Sequence, residues 1–204
     1  MTKVTQVKEK IYLIEETDYK EHCNCFLIVG SASCMVVDFG IGLIDWEAIL
    51  NKYAPGRKVI PVLTHFHFDH VGGSSYFDNI LANIESFQGC LALQYFSVDD
   101  LACDVPSIGD LNQDQFCQVC EDDCIEFDEF SFKILYTPGH DPTSISLHDE
   151  SNGILITGDL MYDGQLIHDL PDSDLSAYIE SLKKIGLLDA ELILPGHNGV
   201  IGGF

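Results

Sequence analysis

Thr64-His65-Phe66-His67-Phe68-Asp69-His70-Val71-Gly72-Gly73 places four metal-capable side chains within six residues, directly behind the apolar run Val59-Ile60-Pro61-Val62-Leu63. Such a run reads as a buried strand, and the glycine pair after the cluster reads as a turn. Side chains two apart on an extended chain point to the same side, so His65 and His67 can grip one ion. Asp69 and His70 lie where the chain must turn, so they can reach past that ion toward a second. The spacing therefore predicts a centre for two neighbouring metals.

A two-metal centre needs ligands from elsewhere in the chain, and three isolated segments each end an apolar run in a suitable side chain. Phe132-Lys133-Ile134-Leu135-Tyr136 runs into Thr137-Pro138-Gly139-His140, Ile154-Leu155-Ile156-Thr157 into Gly158-Asp159, and Leu192-Ile193-Leu194 into Pro195-Gly196-His197. They read as strand tips converging on one spot. A glycine just before each ligand predicts backbone crowding against the metals.

In this order, T-H-x-H-x-D-H followed by a remote histidine, an aspartate and a final histidine, the chain resembles the metallo-β-lactamase superfamily. The resemblance extends from Val36-Val37-Asp38-Phe39-Gly40 to Pro195-Gly196-His197. It implies an α/β fold, the αββα sandwich of mixed sheets with outer helices, with metals at one sheet edge. By the same likeness His65, His67 and His140 would hold the first metal, Asp69, His70 and His197 the second, and Asp159 would bridge both. That nitrogen and oxygen set, free of thiolate, suits two zinc ions and tolerates iron or manganese. A metal pair acidifies a shared water into a nucleophile near neutral pH, so no serine or cysteine nucleophile is required. Asp69 is then a catalytic candidate that orients this water. Tyr162 is a candidate donor to an oxyanion, and His168 a candidate substrate contact or proton shuttle. Asp38 reads equally as a carboxylate steadying the metal loop and as a turn cap before Gly40. His22 and His148 have no motif around them and read as structural.

Composition bounds the rest. With 204 residues and 46% hydrophobic content, residues 1–204 are expected to form a single domain around one core. Ten basic against 33 acidic residues leave a formal charge of −23, which repels nucleic-acid phosphates and anionic membranes. The expected partner is a small-molecule substrate. The charged opening Met1-Thr2-Lys3-Val4-Thr5-Gln6-Val7-Lys8-Glu9-Lys10 lacks the apolar core of a secretory signal, and no long apolar run suggests a membrane span. A cytoplasmic protein is expected. Its eight cysteines are then expected as free thiols, and Cys117-x-x-Cys120-x-x-x-Cys124 lacks a matching ligand pair for a further zinc.

Short apolar runs at residues 10–14, 25–29 and 34–38 predict three neighbouring strands, with Gly30-Ser31-Ala32-Ser33 as a hairpin turn. A helix is expected from Asp45 to Pro55-Gly56, a second starting at residues 74–77, and a strand at residues 80–84. Residues 86–126 read as an irregular acidic insert with a helical piece at 91–96. Strands at 132–136, 144–148 and 154–157, a helix at 175–188 and a last strand to 194 complete the pattern.

Thr143-Ser144-Ile145-Ser146-Leu147-His148-Asp149 and residues 158–167 are similar to the metallo-β-lactamase-domain-containing protein 2 group, linked to acyl-coenzyme A thioester hydrolysis. The resemblance thus implies a hydrolase of a small ester, thioester or lactone. The alternatives are a glyoxalase II-like or β-lactamase-like hydrolase and a diiron redox protein on the same scaffold. Glyoxalase II fits less well, because the chain stops at Ile201-Gly202-Gly203-Phe204 without that enzyme's helical extension, and β-lactamases are exported. Diiron members usually carry an acidic residue where His67 stands.

Overall fold

In the computed structural model, which describes residues 1–18, 22–85, 111 and 113–202, the apolar runs become two mixed sheets. In the first, β1 (Thr2–Lys8), β2 (Ile11–Glu16), β3 (Asn24–Val29) and β4 (Ser33–Val37) form an antiparallel meander. The expected turn closes it: the Gly30 amide donates to the Ser33 carbonyl at 2.9 Å, and the Asp128 carboxylate accepts from the Ala32 and Ser33 amides. β5 (Lys58–Val62), β6 (Ile80–Ala82) and β7 (Phe116–Gln118) then add in parallel to β4. In the second sheet, β8 (Cys124–Phe127), β9 (Phe130–Tyr136), β10 (Ile145–Asp149) and β11 (Ile154–Gly158) run antiparallel. β12 (Leu192–Pro195) joins β11 in parallel, and β13 (Ile201–Gly202) closes the edge antiparallel to β12.

The sheets face each other across one shared apolar layer, in which Phe26, Ile28, Met35 and Val37 of the first meet Phe132, Ile134, Leu147 and Ile156 of the second. Each such side chain contributes roughly 1.5–3 kcal/mol when fully buried. Helices cover the outer faces. α1 (Trp46–Tyr53) is capped by Asp45, whose carboxylate accepts from the Ala48 amide at 2.9 Å, and it packs Trp46 against Phe39 and Phe77. A short α2 (Phe68–Val71) follows β5. α3 (Leu175–Ile185) begins at Asp174, which accepts from the Ser176 and Ala177 amides, and lays Tyr178 and Ile185 on Leu155 and Leu160. The layering is thus helix, sheet, sheet, helix. No helix among the described residues is long and apolar enough to cross a membrane.

Several expectations shift at element ends. Residues 74–77 make only one 3-10 turn, Ser74–Tyr76, and the strand expected at 80–84 stops at Ala82. The helix expected to reach 188 ends at Ile185, where Gly186, a poor helix former, follows. Two strands, β7 and β8, arise within the stretch read as irregular. The opening segment, read only for its charge, forms the edge strand β1. The helix expected at 91–96, Cys90 and Cys103 lie outside the described residues, while the remaining six cysteines are free thiols.

Candidate metal centre

The C-terminal ends of β4, β5, β9, β11 and β12 open toward one end of the sandwich. Backbone hydrogen bonds lace the two sheets together there: the Asn24 amide donates to the Gly196 carbonyl at 2.6 Å and the Ile145 amide to the Thr64 carbonyl at 2.9 Å. The Asn24 side chain adds donations to the Pro195 and Asn198 carbonyls, fixing the loop that carries His197. The four segments singled out from the sequence therefore meet. His65, His67, His140 and Asp159 form one cluster whose candidate ligand atoms lie within 4.8 Å of one another, and Asp69, His70 and His197 form a second.

Asp159 lies between the two. Its Oδ2 is 3.3 Å from His140 Nε2, 3.9 Å from His65 Nε2 and 3.0 Å from His197 Nε2, while its Oδ1 is 3.3 Å from His70 Nε2. Asp69 Oδ2 is 3.4 Å from His197 Nε2 and 3.7 Å from His70 Nε2. All but His197 are buried.

Asp38 both makes the turn and steadies the metal loop. It sits at φ +59°, a left-handed conformation that aspartate tolerates, directly after β4. Its Oδ1 accepts from the Thr64 amide at 2.8 Å, and its Oδ2 accepts from the Thr64 hydroxyl at 2.9 Å and from His70 Nδ1 at 2.8 Å. Because the Thr64 hydroxyl spends its proton on Asp38, it can only accept from His65 Nδ1, 3.0 Å away. One carboxylate thus keeps the proton on Nδ1 of two imidazoles, directly for His70 and through Thr64 for His65, and leaves their Nε2 lone pairs facing inward. His140 is set in the same way, its Nδ1 donating to the Ile167 carbonyl at 2.9 Å.

These inward atoms suit a metal. His65 Nε2, His70 Nε2 and Asp159 Oδ1 are buried without a hydrogen bond, an arrangement that is costly unless a ligand satisfies it. His67 Nε2 is likewise buried without a hydrogen bond, and its Nδ1 lies 2.9 Å from His140 Nε2. Charge agrees with this division. Burial, helped by neighbouring imidazoles, pushes His65 well below its ordinary pKa and His67 to about 3, so both stay neutral and able to ligate. At His70 burial acts downward but is outweighed by Cys23, Asp159, Asp69 and Asp38, and at His197 it is outweighed by Asp159 and Asp69, so both are raised. Burial opposes ionisation of Asp159, yet His70 and His197 together hold it well below the usual carboxylate range.

The glycines before the ligands act on protein atoms more than on a metal. A Cβ on Gly196 would come within 2.2 Å of Asp159 Oδ1, and one on Gly139, at φ +140°, within 2.3 Å of Tyr178 Cα in α3. Tyr162 packs its ring 5.4 Å from that of His197, but its hydroxyl donates to the Gln165 carbonyl and accepts from the Ile167 amide. His168 is exposed, its ring 6.5 Å from that of Tyr178. His148 donates through Nε2 to the Asp189 carbonyl, away from the cluster. Sequence reasoning missed Asp141 and Asp172, which group with His67 on the ring edge opposite His140. Position next to His140 was a signal for Asp141, whereas nothing marked Asp172. Among the described residues, Cys117, Cys120 and Cys124 belong to no ligand group.

The metallo-β-lactamase superfamily model matches residues 18–85 and 114–197. The acyl-coenzyme A thioesterase MBLAC2 of Homo sapiens is 31% identical, over 94% of this chain and 79% of its own length. Hydroxyacylglutathione hydrolase GloC of Haemophilus influenzae is 29% identical, over 92% and 90% respectively. The solved structure of an archaeal metallo-β-lactamase superfamily protein from Sulfolobus tokodaii superposes with a TM-score of 0.73 at 20% identity, covering 95% of this chain and 81% of the other. With its two facing mixed sheets, its outer helices and its His/Asp metal-binding cluster at the strand ends, the chain belongs to the metallo-β-lactamase superfamily of hydrolases.

Proposed function

We propose that this chain is a dinuclear zinc hydrolase of small acyl thioesters. The observation that carries the reading is the pair of donor groups on either side of Asp159, one of three imidazoles and one of Asp69, His70 and His197. Their nitrogen and oxygen character favours zinc. When bound, the metal pair supplies Lewis acidity and a water nucleophile at neutral pH. Asp69 anchors its Oδ2 between His70 and His197, and its other oxygen is free to orient that water and take up its proton. Asp38 and the Ile167 carbonyl fix the rings of His65, His70 and His140, so the metals these residues would hold are set in place by the fold.

A thioester suits this arrangement because a thiolate departs without a proton donor at the leaving atom. Tyr162, its ring 5.4 Å from that of His197, and exposed His168 on the following loop are the candidate oxyanion donor and proton relay of this reading. The relatives named as thioesterases support the same bond type. In this reading the 204 residues work as one catalytic domain in the cytoplasm, on a small molecule rather than on nucleic acid or membrane. The test is a panel of acyl thioesters, homoserine lactones and β-lactams, assayed with zinc and then with chelator. Thioester turnover that chelation and His67→Ala both abolish is expected; turnover that survives either, or a panel left intact, would overturn the reading.

A further inference from the structure

The charge around the mouth of the centre bears on which thioesters can approach it. Of the ten basic residues, only Lys20 lies outside the described residues. Lys8, Lys10, Arg57 and Lys58 sit at the far end of the sandwich: Lys8 donates to the Asn152 carbonyl in the β10–β11 turn, Lys10 pairs with Glu129, Arg57 donates to the Gly30 carbonyl, and Lys58 begins β5. Lys3, Lys133, Lys183 and Lys184 are each paired with an acid, Glu15, Asp122, Glu180 and Glu121 respectively. Lys52 lies over the Tyr53 ring at the end of α1. None of the nine described bases reaches the metal cluster.

The mouth itself is acidic. Exposed Asp163 offers its carbonyl to Asn198, the residue after His197, and exposed Asp169 follows Ile167, whose carbonyl holds His140. A cavity of about 330 Å³ runs up to the His140 loop along Pro138, Gly139 and Pro142; Glu85, Asp172 and Asp174 line it, and the nearest base is Lys184, which pairs with Glu121 and donates to the carbonyl of lining Tyr136.

From this distribution we propose, resting on the thioesterase reading above, that the centre selects acyl thioesters whose thiol half is neutral or cationic and discriminates against phosphate-bearing carriers such as coenzyme A. Divalent ions held by the two groups would offset Asp69 and Asp159 at the floor of the site. A phosphorylated thiol carrier projects its anions outward instead, onto the acidic rim, where no Arg or Lys among the described residues stands to receive them. Like-charge approach slows association, and added salt relieves it.

The experiment compares three butyryl thioesters on the zinc-loaded protein: butyrylthiocholine, S-butyryl-N-acetylcysteamine and butyryl-coenzyme A. The choline and cysteamine thioesters are expected to exceed the coenzyme A thioester in kcat/KM by about tenfold or more at low ionic strength. The gap should narrow as salt rises, and the double charge reversal Asp163→Lys/Asp169→Lys should raise kcat/KM for butyryl-coenzyme A relative to S-butyryl-N-acetylcysteamine in the same variant. Preference for butyryl-coenzyme A, with a rate that falls as salt is added, would overturn this inference and leave the thioesterase reading standing. Hydrolysis of none of the three would overturn both.

Discussion

Asp38→Asn is the most informative single change, because the amide keeps the shape and tolerates the left-handed backbone at φ +59° while removing one acceptor. The carboxylate receives three donors, the Thr64 amide, the Thr64 hydroxyl and His70 Nδ1. An asparagine can be placed in two ways. With its oxygen toward Thr64 Oγ1 and His70, its NH2 confronts the Thr64 amide and leaves a buried backbone donor unpaired, at a cost of about 1–3 kcal/mol. With its NH2 in that place, His70 Nδ1 must accept, and the Thr64 hydroxyl must turn and donate to His65 Nδ1. The proton of both rings then moves to Nε2, the atom that faces Asp159. Either outcome damages the centre. Loss of a partner that orients metal ligands typically weakens affinity by about 10–100-fold, or about 1.4–2.8 kcal/mol. Chelator competition would measure zinc affinity, and thermal melts of the stripped protein would report the fold. Wild-type affinity together with an unchanged melting temperature would refute the proposed role of Asp38.

Gly196→Ala places a methyl 2.2 Å from Asp159 Oδ1 and 3.0 Å from the Gly158 backbone and the His70 ring, so it should displace that carboxylate and lower both metal affinity and the melting temperature. Unchanged affinity would show that Asp159 is free to move. Metal uptake should also release protons, because Asp159 and Asp69 raise the pKa of His197 in the metal-free protein and that ring must give up a proton to ligate. Affinity should therefore rise with pH through the titration of His197 and fall on acidification. Zinc addition in weak buffer with an indicator dye tests this, and uptake without acidification would contradict it.

That these side chains come together was legible because each group follows closely on the end of an apolar strand run, and a strand end is one of the few places where the chain can be located from sequence alone. What orients those ligands was not. The Ile167 carbonyl that holds His140 and the Asn24 side chain that ties down the His197 loop act through backbone atoms, which leave no residue-type signal. Asp38 was ambiguous for a related reason, since a turn cap and a histidine partner call for the same carboxylate. Among the strands, Thr2–Lys8 was hidden by its polar, mostly exposed residues, which suit an edge that must not pair further. Cys124–Phe127 does alternate exposed and buried positions, but it is only four residues long and follows Glu121-Asp122-Asp123, so it merged with the acidic stretch before it.

Zinc titration of the metal-stripped protein, followed by turnover of a neutral acyl thioester, tests the central claim most directly. Hydrolysis that is absent at the start, grows with added zinc and levels off at about two equivalents per chain is the expected result for two ions clasped across Asp159. Full turnover before any zinc is added, or no turnover at saturation with both ions bound, would contradict it.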